Sequence, residues 1–212
     1  MNAARFAPYR EAAANEIYHL LFCDDARAFA PRDREPAPWQ RTLFLDRPDA
    51  EAIRAVATDT ALDARVRLLA CRRLAQDGEA PAPGAKDLLG VVVEVALDAG
   101  LDTLAAYADG SVRYINHTGA MSIFEGRSDA LAPAVDRLFS ASREVVARIG
   151  PWDKPRLAPP ERGRVRLSFL VTDGLYFGDG PMSQFQRDPL AGPVIASASA
   201  LLTQVVDHTA RR

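Results

Sequence analysis

His117 is the side chain in this sequence whose chemistry best suits a functional role, because an imidazole gains and loses a proton near neutral pH. It lies between Asn116 and Thr118, directly after an apolar segment with the composition of a β-strand. A polar trio at the end of a strand is able to line the mouth of a pocket. Asn and Thr side chains also bind the backbone of tight turns, and we favour this turn interpretation.

A second polar segment, Gly178-Asp179-Gly180-Pro181, contains two glycines that would let backbone N–H groups converge on an anion. If the two halves of the C-terminal part are related, the loops at 116–118 and 178–181 flank one groove, which would hold a small anion or a peptide terminus. We favour the alternative that they are two unrelated surface turns. The predicted ligand-binding residues are Asn116, His117, Gly178, Asp179 and Gly180. A strand that ends in a tight turn explains the glycines equally well.

The sequence does not indicate an enzyme. It contains neither the Gly-x-Ser-x-Gly pattern of serine hydrolases nor a glycine-rich nucleotide-binding loop. His19 and His208 lie in predicted helices without the clustered histidines and cysteines of a zinc site. We therefore expect no metal and no cofactor.

The two cysteines, Cys23 and Cys71, are predicted to be buried, unbridged thiols in helical segments. The following Asp24-Asp25 would raise the pKa of Cys23, whereas the arginines around Cys71 would favour a thiolate if that residue were exposed. Isolated cysteines of this kind favour a reduced cytoplasmic protein over a disulfide-bonded secreted one.

Composition narrows the class of protein. A hydrophobic content of 48% with 25% charged residues is typical of a globular chain, and a formal net charge of −2 does not favour nucleic acid as a partner. The N-terminus lacks the apolar region of a signal peptide, and the longest apolar stretch, Leu88–Leu97, is too short to span a membrane. Arginine greatly outnumbers lysine, which we attribute to a GC-rich, bacterial coding sequence. We expect a cytoplasmic protein without membrane contact.

The first part of the chain, residues 1–77, is predicted to be helical. Apolar residues recur at helical spacing in the segments 9–22, 49–57 and 62–75. Residues 77–86 have the composition of a linker, with two prolines and two glycines. A second unit, 87–212, begins with the valine-rich segment Leu88–Leu97, which predicts a central strand buried on both faces.

Two Asp-Gly pairs predict β-hairpins. Asp109-Gly110 separates the strand segments 101–108 and 111–117, and Asp173-Gly174 separates 164–171 and 175–177. A two-residue Asp-Gly connection favours a type I′ turn, which would place Tyr107 opposite Val112. With Leu88–Leu97, this gives an antiparallel sheet of about five strands.

The two hairpins are followed by similar sequences. Met121-Ser122-Ile123-Phe124 and Met182-Ser183-Gln184-Phe185 each precede an amphipathic helix, led by Pro133 and Pro193 respectively. This similarity predicts an internal hairpin–helix repeat of residues 87–150 and 164–212. The predicted fold class is α+β, with two C-terminal helices packed on the sheet and a helical N-terminal portion.

The order hairpin, helix, hairpin, helix resembles the layout of roadblock, longin and profilin-like domains. The resemblance concerns architecture alone and implies no functional residue. It favours a non-enzymatic cytoplasmic interaction or adaptor module, acting on a protein partner or as a homodimer through an edge such as Leu175–Phe177. The alternative is a small-molecule-binding sensor domain or a hydrolase with its pocket near 116–118 and 178–181.

Overall fold

A six-stranded antiparallel sheet lies between two layers of helices. A computed structural model describes residues 5–31, 35–45, 48–79 and 86–211. The N-terminal helices cover one face of the sheet and the C-terminal helices cover the other. The predicted α+β class is confirmed, with six strands instead of about five. Most of the predicted linker, residues 80–85, lies outside the described residues.

The N-terminal layer contains the three helices that the apolar spacing predicts, together with two shorter ones. Asp49 and Asp63 cap two of them by accepting hydrogen bonds from the backbone N–H groups of Glu51 and Arg65. The elements are α1 (Ala12–Leu21), a 3-10 helix (Ala26–Phe29), α2 (Pro38–Leu43), α3 (Ala50–Thr58) and α4 (Ala64–Gln76).

The sheet has the order β4-β3-β2-β1-β5-β6, and every neighbouring pair is antiparallel. The central strand β1 is buried on both faces, as its apolar run with a single charged residue predicts. The strands are β1 (Leu88–Leu97), β2 (Gly100–Tyr107), β3 (Val112–Ile115), β4 (Met121–Phe124), β5 (Arg164–Val171) and β6 (Gly174–Pro181).

The hairpin around Asp109-Gly110 is present, but its connection has three residues and not two. The Tyr107 N–H donates to the Ser111 carbonyl at 3.0 Å, and the Gly110 N–H donates to the Tyr107 carbonyl at 2.9 Å. Gly110 has φ +85° and Asp109 has no positive φ, so a type I turn with a following left-handed residue replaces the type I′ turn. The register moves by one residue, which places Ala106 and not Tyr107 opposite Val112.

The second predicted hairpin is also shifted by one residue. Val171 pairs with Gly174, so the connection is Thr172-Asp173 instead of Asp173-Gly174. Asp173 accepts a hydrogen bond from Tyr176 Oη at 2.8 Å. An unpredicted hairpin, β1–β2, uses the same arrangement at Asp98-Ala99. In both, an aspartate lies in the turn and a glycine begins the return strand.

The strand missing from the sequence prediction is β4, whose Met-Ser-Ile-Phe sequence we assigned to a segment before a helix. It pairs with β3 at the edge of the sheet and alternates exposed and more buried side chains. The corresponding Met182–Phe185 segment is a single helical turn, α6. The two similar sequences therefore adopt different structures.

The topology also rules out a superposable repeat of the two hairpin–helix halves. Strands β2 and β5 run in the same direction and lie on either side of β1. Their return strands, β3 and β6, therefore lie on opposite sides of β1 in the sheet order. The two following helices, α5 (Ala132–Val146) and α7 (Ala191–Ala210), nevertheless pack on the same face. Only a reflection, and no rotation, would relate two such halves. The two halves therefore resemble each other in the order of their sequence patterns and not in their three-dimensional arrangement.

Three tyrosine hydroxyls join the N-terminal layer to the sheet. Tyr9 Oη lies 2.7 Å from Thr103 Oγ1, and Tyr18 Oη donates to Glu94 Oε1 at 2.6 Å. Tyr107 Oη donates to the Leu21 carbonyl at 2.7 Å, at the end of α1. Because all three hydroxyls are buried, these bonds fix the position of α1 on the sheet.

Candidate functional site

Asn116 and His117, two of the predicted ligand-binding residues, lie in the turn between β3 and β4. Asn116 Oδ1 accepts hydrogen bonds from the Thr118 N–H and hydroxyl and from the Ala120 N–H, at 2.7–3.0 Å. Asp102 Oδ1 accepts one from the His117 backbone N–H at 2.7 Å and lies 3.2 Å from His117 Nδ1. These polar groups hold the turn together, in keeping with the turn interpretation.

Gly178, Asp179 and Gly180 lie within strand β6 and not in a loop, contrary to the sequence prediction. The ring of Phe185 lies against Gly180, where an added Cβ would meet Phe185 Cε1 at 2.7 Å. Asp179 accepts hydrogen bonds from Arg164 and Arg166 at 2.7–3.0 Å. Close packing against Phe185 thus explains why glycines occur here, and the ion pairs with Arg164 and Arg166 explain why an aspartate lies between them.

The structure does not bring the two predicted segments together into one groove. Both lie at the same end of the sheet, but β2, β1 and β5 separate β3 from β6. Four steps between neighbouring strands amount to about 19 Å. Ligand binding at either segment remains a prediction.

A buried acidic residue that we did not single out, Glu94, lies at the centre of the sheet beneath α1. Its side chain is fully buried, and Oε2 has no hydrogen-bond partner among the described residues. Burial raises the pKa of Glu94, against the lowering effects of the Tyr18 hydrogen bond and of Arg166 and Arg156. The sequence signal was available, since Glu94 is the one charged residue inside the apolar run of β1.

Arg156 is a second buried residue that sequence reasoning missed. Its guanidinium lies 3.9 Å from the ring centroid of Phe22, and Nε donates to Asp24 Oδ2 at 2.6 Å. Its side chain is only 5% exposed. Arg156 Nη2 and Asp24 Oδ1 have no hydrogen-bond partner in the described part of the chain. This ion pair is therefore only partly satisfied by the protein.

The Asp24–Arg156 pair lies at a groove formed by two adjoining cavities of about 240 Å³ each. The first lies between α4, the segment around residues 152–156 and the β5–β6 turn. The second lies between the end of α1, α2 and α4, and its wall is more apolar. Asp24, Arg72 and Gln76 line both cavities, so the two cavities adjoin at these residues.

The two edges of the sheet differ in how they are covered. At β6, the Trp152 N–H donates to the Leu175 carbonyl at 2.7 Å, and the Trp152 ring packs edge-on against Phe177 at 5.0 Å. The edge at Leu175–Phe177, which we considered for dimerisation, is therefore partly covered. The opposite edge strand, β4, pairs only with β3 among the described strands.

Strand β4 presents both main-chain groups and apolar side chains to solvent. The Asn116 N–H donates to the Ala120 carbonyl, so by the alternation of an antiparallel pair the backbone groups of Met121 and Ile123 point away from β3. The side chains of Met121 and Ile123 are 39% and 41% exposed. Unpaired backbone groups beside exposed apolar side chains are typical of a strand that pairs with another chain.

Helix α7 packs behind β4, on the face of the sheet opposite to the Met121 and Ile123 side chains. Thr209 Oγ1 donates to Ser122 Oγ on β4 at 2.9 Å. Val206 lies one helical turn before Thr209 and is 48% exposed, one of the most exposed large apolar side chains of the described residues. Val206 thus lies on the other side of the sheet from the side chains of Met121 and Ile123. We call strand β4, with its exposed Met121 and Ile123 side chains, the β4 edge.

Cys23 and Cys71 are free, buried thiols. Cys23 follows α1 in a left-handed conformation with φ +52°, outside the helix in which we expected it. His19, four positions earlier, places Nε2 2.7 Å from the Phe6 carbonyl. Within residues that the structure describes, no group of three or more His, Cys, Asp or Glu side chains is arranged to hold a metal ion.

We expect neither cysteine to react with a thiol reagent in the native protein. Burial raises the pKa of Cys23 to about 12 and that of Cys71 to about 11, so the reactive thiolate is scarce at neutral pH. Titration with Ellman's reagent should label both thiols only after denaturation. Rapid labelling of either thiol in folded protein at pH 7 would contradict this environment.

Among the described residues, no helix is both long enough and apolar enough to cross a bilayer. The likeness in layout to roadblock, longin and profilin-like domains stays a prediction. Searches against protein-family models, curated proteins and solved structures each found no match for this chain.

Proposed function

We propose that this protein is a non-enzymatic cytoplasmic interaction module that pairs with a second copy of itself through the β4 edge. The observation that carries the proposal is the outward-facing backbone and side chains of Met121 and Ile123, on an edge strand whose outer side no described strand pairs with. The free thiols Cys23 and Cys71 support a reducing compartment such as the cytoplasm.

Self-pairing gives β4 a regular register. If two β4 strands run antiparallel and are centred on Ser122, each outward-facing Met121 lies opposite the Ile123 of the second copy. These are the residues whose N–H and C=O groups point outward, so the two pairs exchange four main-chain hydrogen bonds. The result is a continuous sheet across both copies.

The side chains suit this register. Met121 and Ile123 lie on the same face of the strand, so each copy contributes one apolar side chain to each cross-strand pair. Ser122 meets Ser122 on the other face, and no like charges are placed directly opposite within the four residues. Because the strand is short, we expect a reversible dimer and not a permanent one.

Light scattering across a concentration series tests the proposal. The wild type should shift from the 23.0 kDa mass of one chain towards twice that mass as concentration rises. Ile123→Lys should remain at the mass of one chain, because a lysine at this position places like charges at the interface and solvates the edge. Both proteins should give the same circular dichroism spectrum.

Leu97→Lys is the matched control, since Leu97 is 42% exposed but lies at the end of the central strand β1. It should associate like the wild type. A wild type that keeps the mass of one chain at all concentrations would overturn the proposal. So would an Ile123→Lys variant that associates as strongly as the wild type.

A further inference from the structure

We propose that the groove between α4 and the segment around residues 152–156 binds a free α-amino acid with an apolar side chain. The groove lies at the β5–β6 side of the molecule, away from the β4 edge, so this inference does not depend on the proposed dimer.

The first argument is the unsatisfied ion pair in the groove wall. Arg156 Nη2 lacks an acceptor and Asp24 Oδ1 lacks a donor, although both atoms are buried. Buried polar groups without partners are costly, and a bound molecule beside the pair would complete it. A ligand in this cavity lies against both side chains, and it needs one acceptor and one donor group.

The second argument is the positive charge around the first cavity. Arg72 forms no ion pair within the described part of the chain, and Lys154 lies over the Trp152 ring, 5.4 Å from its centroid. With Arg156, these residues give the cavity three cationic side chains against two carboxylates, Asp24 and Asp173. A carboxylate on the ligand would be held by charge-assisted hydrogen bonds from the arginines.

The third argument concerns the donor that Asp24 lacks. A ligand ammonium group in the groove can donate to the Asp24 carboxylate, which lines both cavities, while its carboxylate accepts from the arginine side chains. An α-amino acid carries these two groups on one carbon. Asp24 and Arg72 line both cavities, so they lie at the point where such a head group would bind.

The fourth argument is the apolar wall of the second cavity. Leu43, Phe44 and Leu69 contribute to it, beyond Asp24 and Arg72 as seen from the first cavity. Small-molecule sites commonly combine an apolar wall with a few polar groups that fix orientation. A leucine or phenylalanine side chain would enter this second cavity when the head group binds between Asp24 and Arg72.

Thermal-shift titration of the wild-type protein tests the proposal with L-phenylalanine and L-leucine as probes. Each should raise the unfolding midpoint by a few degrees in a saturable manner. The analogues 3-phenylpropionate, which lacks the ammonium group, and phenethylamine, which lacks the carboxylate, should produce no saturable shift. This comparison tests the part played by Asp24 without altering a residue of the buried pair.

Arg72→Gln should abolish the shift with L-phenylalanine. Because Arg72 has no ion-pair partner among the described residues, this variant should unfold at nearly the wild-type temperature without ligand. Arg148→Gln, two residues after the end of α5 and across the sheet, is the control and should respond like the wild type. No saturable shift with either amino acid, an equal shift with 3-phenylpropionate, or an unchanged response of Arg72→Gln would each overturn the proposal.

Discussion

Gly110→Ala should destabilise the protein by at least about 2 kcal/mol. Two effects add at this position. Gly110 has φ +85°, which side chains with a Cβ rarely adopt, and a Cβ there would meet Arg127 Cα at 2.7 Å. Because the clash involves backbone, the neighbour cannot move aside by a change of rotamer. Chemical denaturation of variant and wild type measures the difference.

Gly126→Ala separates the two effects. Gly126 also has positive φ, +68°, but an added Cβ there meets no atom within 4 Å. The free energy of unfolding of Gly126→Ala should fall only by the conformational contribution, about 1 kcal/mol. Equal losses of stability in the two variants would contradict a close contact between the β2–β3 turn and Arg127.

Glu94→Gln should change how stability depends on pH. Burial raises the pKa of Glu94 above its ordinary 4.5, so the folded protein binds a proton here more tightly than the unfolded chain does. The free energy of unfolding therefore decreases as pH rises from 4.5 to the folded-state pKa, by up to about 1.4 kcal/mol per pH unit. Glutamine does not titrate, so the free energy of unfolding of Glu94→Gln should increase relative to that of the wild type as pH rises across this window.

The difference in stability between the two proteins is the quantity to follow, by urea denaturation from pH 4 to 8. Glutamine keeps an oxygen to accept the Tyr18 hydroxyl, while its amide group meets the position that lacks a partner. Its absolute stability at one pH is thus less informative than the trend. Glu144→Gln, an exposed carboxylate on α5, is the control. A pH-independent difference for Glu94→Gln would contradict the raised pKa.

Local sequence patterns predicted the elements of this fold better than their connections. The apolar run of Leu88–Leu97 and the helical spacing of 62–75 specify a central strand and a helix because burial follows directly from side-chain type. The turn at Asp109-Gly110 was located correctly, but its length depends on backbone angles that several loop types permit. Strand β4 was missed because four residues at an exposed edge carry little periodic signal.

The groove was beyond sequence reasoning because its polar residues come from distant parts of the chain. Asp24 follows α1, Arg72 lies on α4 and Arg156 lies between α5 and β5. None of these residues belongs to a local motif, and only tertiary packing brings them together. The predicted residues Asn116 and His117, in contrast, form a local polar cluster, and local turn bonding uses most of its polar groups.

Amide hydrogen exchange of Met121 and Ile123, measured by NMR at several protein concentrations, tests edge pairing through β4 most directly. In the single chain these two N–H groups point to solvent and should exchange rapidly, whereas Ser122 is paired with β3. Edge pairing predicts that protection of the Met121 and Ile123 amides increases with protein concentration in the wild type. In Ile123→Lys, the Met121 amide should remain unprotected at every concentration. Rapid exchange of both amides at every concentration would contradict the account, as would concentration-dependent protection confined to another edge.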